Sequence, residues 1–74
     1  MLILYTKGDC PLCDELKDEL ARLSVVYVER DMVTNADWYR RYHERIPVLV
    51  DASGKEHDPP FTAARLERIL GLLG

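Results

Sequence analysis

The chain opens with a short apolar run and then changes to a pattern that repeats every three to four residues. Residues 2–5 (LILY) form the run, which stops at Gly8-Asp9. An apolar run of this length is typical of a strand that is buried on both faces of a sheet. From Pro11 onward, apolar residues recur at the spacing of one helical face. They are Leu12, Leu16, Leu20 and Leu23. Pro11 suits the first helical position because its missing N–H would be unpaired there.

A second strand and a second helix follow. Residues 25–30 (VVYVER) are rich in β-branched and aromatic side chains and predict a strand. A strand, a helix and a strand in this order form a right-handed unit with parallel strands. Residues 34–37 (TNAD) carry the chemistry of a helix start. We expect this helix to run to about Glu44, with Trp38 and Tyr42 facing the sheet.

The last third of the chain predicts a hairpin and a final helix. Residues 46–50 begin a third strand with proline, and a turn at 51–54 leads to a short, charged edge strand at 55–57. The short turn makes these two strands antiparallel. Thr62 can cap a helix with an apolar stripe, which consists of Leu66, Ile69, Leu70 and Leu73. The order βαβαββα predicts an α/β fold with one four-stranded mixed sheet flanked by helices, in a single domain over residues 1–74.

Composition and charge exclude several classes of protein. The chain has 74 residues, 47% of them hydrophobic and 31% charged, with a net charge of −3. This balance is typical of a globular protein, and mild acidity favours neither nucleic acid nor an anionic membrane as a partner. No apolar run approaches the about 20 residues of a membrane helix, and no segment resembles a signal peptide. We expect a cytoplasmic protein, in which a permanent structural disulfide is unusual.

The two cysteines stand where the first strand turns into the first helix. Cys10 and Cys13 enclose Pro11 and Leu12 in a CxxC pattern. A cysteine just ahead of a helix meets unpaired N–H groups and the positive end of the helix dipole, which favour the nucleophilic thiolate. Cys10 is therefore the predicted nucleophile. Cys13, inside the helix and on the same side, is the predicted resolving thiol, which attacks the mixed disulfide and releases reduced substrate.

Two other uses of the cysteine pair remain open from the residues alone. A structural disulfide would close a four-residue loop, which contributes only about 2 kcal/mol in the chain-entropy model. A metal or iron–sulfur module could use Cys10 and Cys13 as half of a site, but zinc takes about four ligands. His43 and His57, which we expect at the surface, are the other nitrogen donors and have no paired-ligand spacing.

The motifs resemble those of the glutaredoxins, in particular the compact bacterial glutaredoxin-like proteins. Residues 5–9 (YTKGD) before the CPLC motif look like the opening of that family, and Arg45-Ile46-Pro47 resembles its second signature, a cis-proline that faces the cysteines. The resemblance covers residues 1 to about 50. It implies a thioredoxin-like fold and the activity of a disulfide oxidoreductase.

The resemblance also implies roles for residues around the cysteines. Lys7 matches a basic residue that approaches the carboxylate of glutathione, and Pro47 matches the cis-proline. Ile46 would offer its backbone N–H and C=O to an extended substrate. The substrate-binding set expected from the motif and its surroundings comprises Lys7, Pro11, Leu12, Arg45, Ile46 and Pro47. Arg45 stands where the family has threonine, and we expect it to face an anionic substrate.

The partners expected from these features are a disulfide-containing protein or a glutathione mixed disulfide, together with a thiol reductant. No tightly bound cofactor and no metal are expected, and glutathione is a candidate co-substrate of a monomeric protein. Glutaredoxins grip glutathione with the backbone of a Gly-Gly turn, where this chain has Asp58-Pro59-Pro60. Because proline lacks an N–H donor, we expect weaker use of glutathione than in a typical glutaredoxin.

Overall fold

The fold is described here from a computed structural model, over residues 1–71. The element order is the predicted βαβαββα, with a short 3-10 turn over Met32–Thr34 between the second strand and the second helix. The strands are β1 (Ile3–Thr6), β2 (Val28–Asp31), β3 (Val48–Val50) and β4 (Glu56–His57). The helices are α1 (Pro11–Arg22), α2 (Ala36–Tyr42) and α3 (Ala63–Leu70).

The four strands form one mixed sheet in the order β2-β1-β3-β4. Strand β1 pairs with β2 in parallel, with Ile3 opposite Val28, and with β3 in antiparallel, with Ile3 opposite Val50. Strands β3 and β4 are antiparallel. The predicted thioredoxin-like α/β architecture is confirmed, and β1 is a central strand.

Side chains that alternate along β1 divide the core between the two faces of the sheet. Leu4 is fully buried on the face covered by α1 and α3, in a cluster with Leu16, Leu20, Leu49 and Leu66. Tyr5 is buried on the other face, which α2 covers, in a cluster with Met32, Tyr42 and Val48. The expected burial of β1 on both faces of the sheet is confirmed.

Several expected boundaries are wrong by a few residues. Strand β2 begins at Val28, not at residue 25, because the chain is still closing α1: Ser24 has φ 56°, and the Val25 N–H donates to the Leu20 carbonyl at 3.0 Å. This is the Schellman closure of a helix. Val26 is then 91% exposed. Helix α2 ends at Tyr42 instead of residue 44, β3 begins at residue 48 instead of 46, and β4 begins at residue 56 instead of 55.

Helices α2 and α3 begin within the segments that the sequence predicts. The Asn35 side chain, within the predicted start at 34–37, accepts hydrogen bonds from the N–H groups of Asp37 and Trp38. Thr62 caps α3 by accepting from the Arg65 N–H. In the predicted stripe of α3, Leu66 is fully buried, and Leu73 lies outside the described residues. None of the helices in residues 1–71 is long and apolar enough to cross a membrane.

Candidate active site

The turn between β1 and α1 brings Cys10 to the start of the helix. Asp9 adopts the left-handed conformation with φ 58°, which aspartate tolerates better than most residues, and this reverses the chain after β1. Cys10 is the N-cap of α1, with the extended backbone of that position, and Pro11 occupies the first helical turn as predicted. The Cys13 N–H donates to the Cys10 sulfur at 3.1 Å. A sulfur in this place is held by a backbone donor that would otherwise be unpaired.

The two cysteines are joined as a disulfide, with their Cα atoms 5.2 Å apart. Cys13 is 1% exposed, whereas Cys10 is only partly covered. The N-cap position turns one sulfur toward solvent, while the first turn of α1 packs the other against the fold. This difference in access is the one expected of an attacking and a resolving thiol.

Leu12, between the cysteines, does not join the core as the helical spacing predicted. It is 54% exposed, whereas Leu16 and Leu20, one and two turns later, are 4% and 0% exposed. Leu12 belongs to neither of the two core clusters. Its side chain instead lines an open cavity next to the disulfide.

The segment before β3 reaches the same cavity. Pro47 is fully buried and lines it, and the Ile46–Pro47 peptide bond is cis. The cavity has a volume of about 400 Å³. It is lined from α1, from the β3 segment and from the start of α3 by Leu12, Glu15, Leu16, Glu19, Pro47, Pro59, Pro60, Phe61, Thr62 and Ala63. The structure thus brings Leu12 and Pro47 of the predicted set together around one groove.

Arg45 is bound to carboxylates of its own chain. Its guanidinium donates to Asp58 at 2.8 and 3.0 Å and to Glu56 at 3.0 Å. The Tyr42 hydroxyl donates to the other oxygen of Glu56 at 2.7 Å. These bonds tie the end of α2 and the segment before Pro47 to β4, so Arg45 fixes the chain at this edge of the site.

The hydrogen bonds among these residues shift the pKa values of Tyr42 and Glu56. Burial, together with the hydrogen bond to Glu56, raises the pKa of Tyr42 to about 12. The Tyr42 hydroxyl and the Arg45 guanidinium lower the pKa of Glu56 below its ordinary value. The carboxylate of Glu56 is therefore ionised and held by two donors at neutral pH.

Lys7 and the two histidines lie apart from this network. Lys7 is exposed in the loop between β1 and Cys10, and it forms no ion pair within residues 1–71. His43 is exposed and stacks on Tyr39, as expected of a surface residue. His57 is not at the surface: its side chain is 11% exposed and its ring lies 2.8 Å from an Asp51 oxygen. Within the described part of the chain, no three His, Cys, Asp or Glu side chains form a metal-binding group.

Sequence reasoning missed several residues that line the groove and the partners of Arg45. Glu15, Glu19 and Phe61 line the groove, and Glu56 and Asp58 bind the arginine. Only Phe61, an apolar residue directly after Pro59-Pro60, carried a sequence signal, because a large apolar side chain in a loop must pack on something. The acidic residues resemble any other solvated charges until the fold is known.

The comparisons with known proteins agree with this geometry. The family model described as glutaredoxin-like domain (DUF836) matches residues 1–71. The chain is 36% identical to the protein XcR50 from X. campestris, with a TM-score of 0.87 to its X-ray structure and 97% of each chain covered. Its solution structure gives a TM-score of 0.83, with 96% of this chain and 92% of that chain covered.

A second protein of known structure extends the comparison. The thioredoxin-like protein BC3987 is 27% identical, with a TM-score of 0.74, 95% of this chain covered and 100% of that chain. A thioredoxin-like fold with a Cys10–Cys13 pair at the start of α1 supports a redox role in general terms. The resemblance to glutaredoxin-like proteins noted in the sequence is confirmed, and the chain belongs to the glutaredoxin-like domain family (DUF836).

Proposed function

We propose that this protein is a thiol–disulfide oxidoreductase that reduces disulfides of proteins or small molecules with the Cys10/Cys13 pair. One observation carries the proposal: the Cys10 sulfur caps α1 and accepts the Cys13 N–H at 3.1 Å, within bonding reach of the Cys13 sulfur. A charge-assisted hydrogen bond from a backbone donor and the helix dipole both stabilise a thiolate there more than a neutral thiol.

The reaction starts from the reduced dithiol. The Cys10 thiolate attacks one sulfur of the substrate disulfide, forms a mixed disulfide and releases the first substrate thiolate, which takes up a proton. Cys13 then loses its proton and attacks the Cys10 sulfur. The second substrate thiol leaves and the Cys10–Cys13 disulfide forms. Two electrons pass from the protein to the substrate, one proton comes from Cys13 and the other from solvent, and a thiol reductant later returns the two electrons.

Residues around the disulfide position the substrate in this proposal. Ile46 offers its backbone to an extended chain, and Pro47 and Leu12 form the adjacent apolar wall. Pro11 fixes the helix start, and Lys7 presents a positive charge in the preceding loop. Arg45 acts as a positioning residue, because its bonds to Glu56 and Asp58 hold the segment that leads to Pro47.

We propose glutathione as a co-substrate that the site binds only weakly. The backbone at Pro59 and Pro60 has no N–H to donate to a carboxylate, and the Arg45 charge is already neutralised. We propose a monomer acting in the cytoplasm, where a thiol pool can reduce the disulfide again.

The experiment is a trapping reaction. Cys13→Ser, incubated with a protein disulfide, should accumulate a mixed disulfide on Cys10, which mass spectrometry of the digested adduct locates. Cys10→Ser is the matched control and should accumulate far less adduct, because Cys13 is 1% exposed. Equal trapping by both variants, or preferential labelling of Cys13 by iodoacetamide in the reduced wild type, would refute the assignment.

A further inference from the structure

The groove beside the disulfide has apolar walls. Leu12, which lines the groove, stands between the two cysteines of the CxxC motif, so the groove lies beside the active-site turn. Leu16 and Pro47 form its floor, and Phe61 with Pro59-Pro60 its far wall. A cavity of about 400 Å³ lies within the range of small ligand sites, and it has room for a few side chains of a polypeptide.

Within residues 1–71, the side chains that line the groove include carboxylates and no cation. The titratable side chains of the lining are Glu15 and Glu19. Glu19 is bound by Arg22, whereas Glu15 is exposed and has no ion-pair partner within residues 1–71. Arg65 lies beside the far wall, and its guanidinium is bound to the carbonyls of Asp58 and Pro60. Among the side chains that line the groove, Glu15 is therefore the charged group that a ligand can meet without displacing an ion-pair partner.

The far wall also offers little to a carboxylate by hydrogen bonding. Pro59 and Pro60 have no N–H, and the Thr62 side chain accepts the Arg65 N–H at 3.2 Å as the cap of α3. A small anionic thiol would meet apolar carbon and a glutamate here. An apolar side chain next to the substrate cysteine would lose little hydration here, and a cationic side chain would gain the Glu15 carboxylate as a partner.

We propose that this groove selects, as substrate, a disulfide-bearing polypeptide in which an apolar residue and a basic residue flank the reacting cysteine. The proposal rests on the oxidoreductase function proposed above. The apolar side chain packs against Leu12 and Phe61, and the basic side chain pairs with the carboxylate of Glu15. Apolar burial supplies the affinity, and the exposed charge pair supplies the discrimination.

Two disulfide-linked peptide dimers test the charge. They are identical in sequence, with leucine near the cysteine, and differ in a lysine or a glutamate at one neighbouring position. Reduced protein is mixed with each in acid-quenched single turnovers, and the ratio of rate constants is measured. We expect the lysine peptide to be reduced about 2- to 5-fold faster, the range of an exposed ion pair, with the ratio falling toward one in high salt.

Matched variants assign the effect to the groove. Glu15→Gln should bring the ratio close to one. Glu44→Gln removes the same charge from an exposed site after α2, which packs on the opposite face of the sheet, and should keep the wild-type ratio. Because each ratio compares two substrates in one variant, changes in folding or in the reactivity of the dithiol cancel.

A third peptide, with serine in place of leucine, tests the apolar wall and should be reduced several-fold more slowly than its parent. Equal rates for the lysine and glutamate peptides in the wild type would overturn the proposed selectivity, as would an unchanged ratio in Glu15→Gln. In both cases the peptides are still reduced and the oxidoreductase function stands. If neither the peptides nor bis(2-hydroxyethyl) disulfide oxidises the dithiol, the proposed function itself fails.

Discussion

Replacing Tyr42 with phenylalanine should destabilise the fold through a single hydrogen bond. The Tyr42 ring is buried, with its centroid 4.3 Å from that of Tyr5, and its hydroxyl donates to Glu56 at 2.7 Å. Phenylalanine keeps the ring and its packing and removes only the donor. The half-buried carboxylate of Glu56 then loses one of its two hydrogen-bond donors.

The expected size of the effect follows from the exposure of the carboxylate. A hydrogen bond to a charged group contributes about 1.5–3 kcal/mol to stability. The Glu56 side chain is 30% exposed and keeps its bond to Arg45, so water replaces part of what is lost. We expect the free energy of unfolding to fall by about 1–1.5 kcal/mol. In a domain of this size that corresponds to a Tm lower by about 5–10 °C.

Urea unfolding followed by tryptophan fluorescence measures this change. The chain has one tryptophan, Trp38, whose ring centroid lies 5.7 Å from that of Tyr5 in the same cluster. Tyr39→Phe is the matched control, because Tyr39 is 42% exposed and its hydroxyl forms no hydrogen bond within residues 1–71. The control should stay within about 0.5 kcal/mol of the wild type.

The pH dependence of the difference has a definite sign. The pKa of Tyr42 is raised to about 12, so its contribution is complete below the ordinary tyrosine pKa, near pH 10, and is lost as pH rises through 12. The pKa of Glu56 is lowered, so its contribution is present above its ordinary value, about 4.3, and is lost as pH falls through the lowered pKa. Equal stability of Tyr42→Phe and Tyr39→Phe at pH 7 would refute the role of this hydrogen bond.

Three further predictions test other parts of the structure. The His57 ring and Ser53 hold the pKa of Asp51 well below its ordinary range, so the free energy of unfolding should decrease as the pH drops below about 4. Asp51→Asn should flatten this decrease, which urea midpoints taken from pH 3 to 6 measure. Leu66→Ala should cost about 2–5 kcal/mol in the same unfolding assay, and Leu12→Ala, at a 54% exposed position, far less; equal losses would contradict the assigned core. Protein purified without oxygen should contain far less than one zinc or iron per chain by elemental analysis, and stoichiometric metal or a brown colour would favour the metal-binding alternative.

The parts of the fold that depend on residues close together in the sequence could be predicted from the sequence. The order of elements, the start of α2 within residues 34–37 and the cap at Thr62 follow from local patterns and from short connections. The start of β2 could not be predicted, because Ser24 and Val25 close the preceding helix. Residues 25–28 have high strand propensity, but the strand begins only where the Val28 N–H reaches the Leu2 carbonyl. Tertiary pairing set that boundary.

The candidate site, like the fold, could be predicted only where it depends on residues close together in the sequence. The placement of Cys10 and Cys13 needed only the change from a strand to a helical pattern and a proline at the helix start. The exposure of Leu12 could not be predicted, because it shares the helical spacing of the buried Leu16 and Leu20 and differs only in its tertiary surroundings. The burial of His57 needed Asp51, six residues away across the β3–β4 turn. A histidine in a charged edge strand gives no signal of that contact.

The charge that a substrate meets at this site differs from the charge counted along the chain. Arg45 and Arg65 are close in sequence to the groove-lining residues Pro47 and Phe61, and from the sequence alone they would favour an anion. Arg45 is bound to two carboxylates, and Arg65 to two backbone carbonyls. A ligand carboxylate would have to displace those partners before it gained either cation, and each displaced acceptor would need water in return. Glu15 needs no such exchange to meet a cation. Under the proposed function, the substrate preference then depends on which charged groups are already bound, and the contacts of Arg45 with Glu56 and Asp58 and of Arg65 with the segment before α3 decide this.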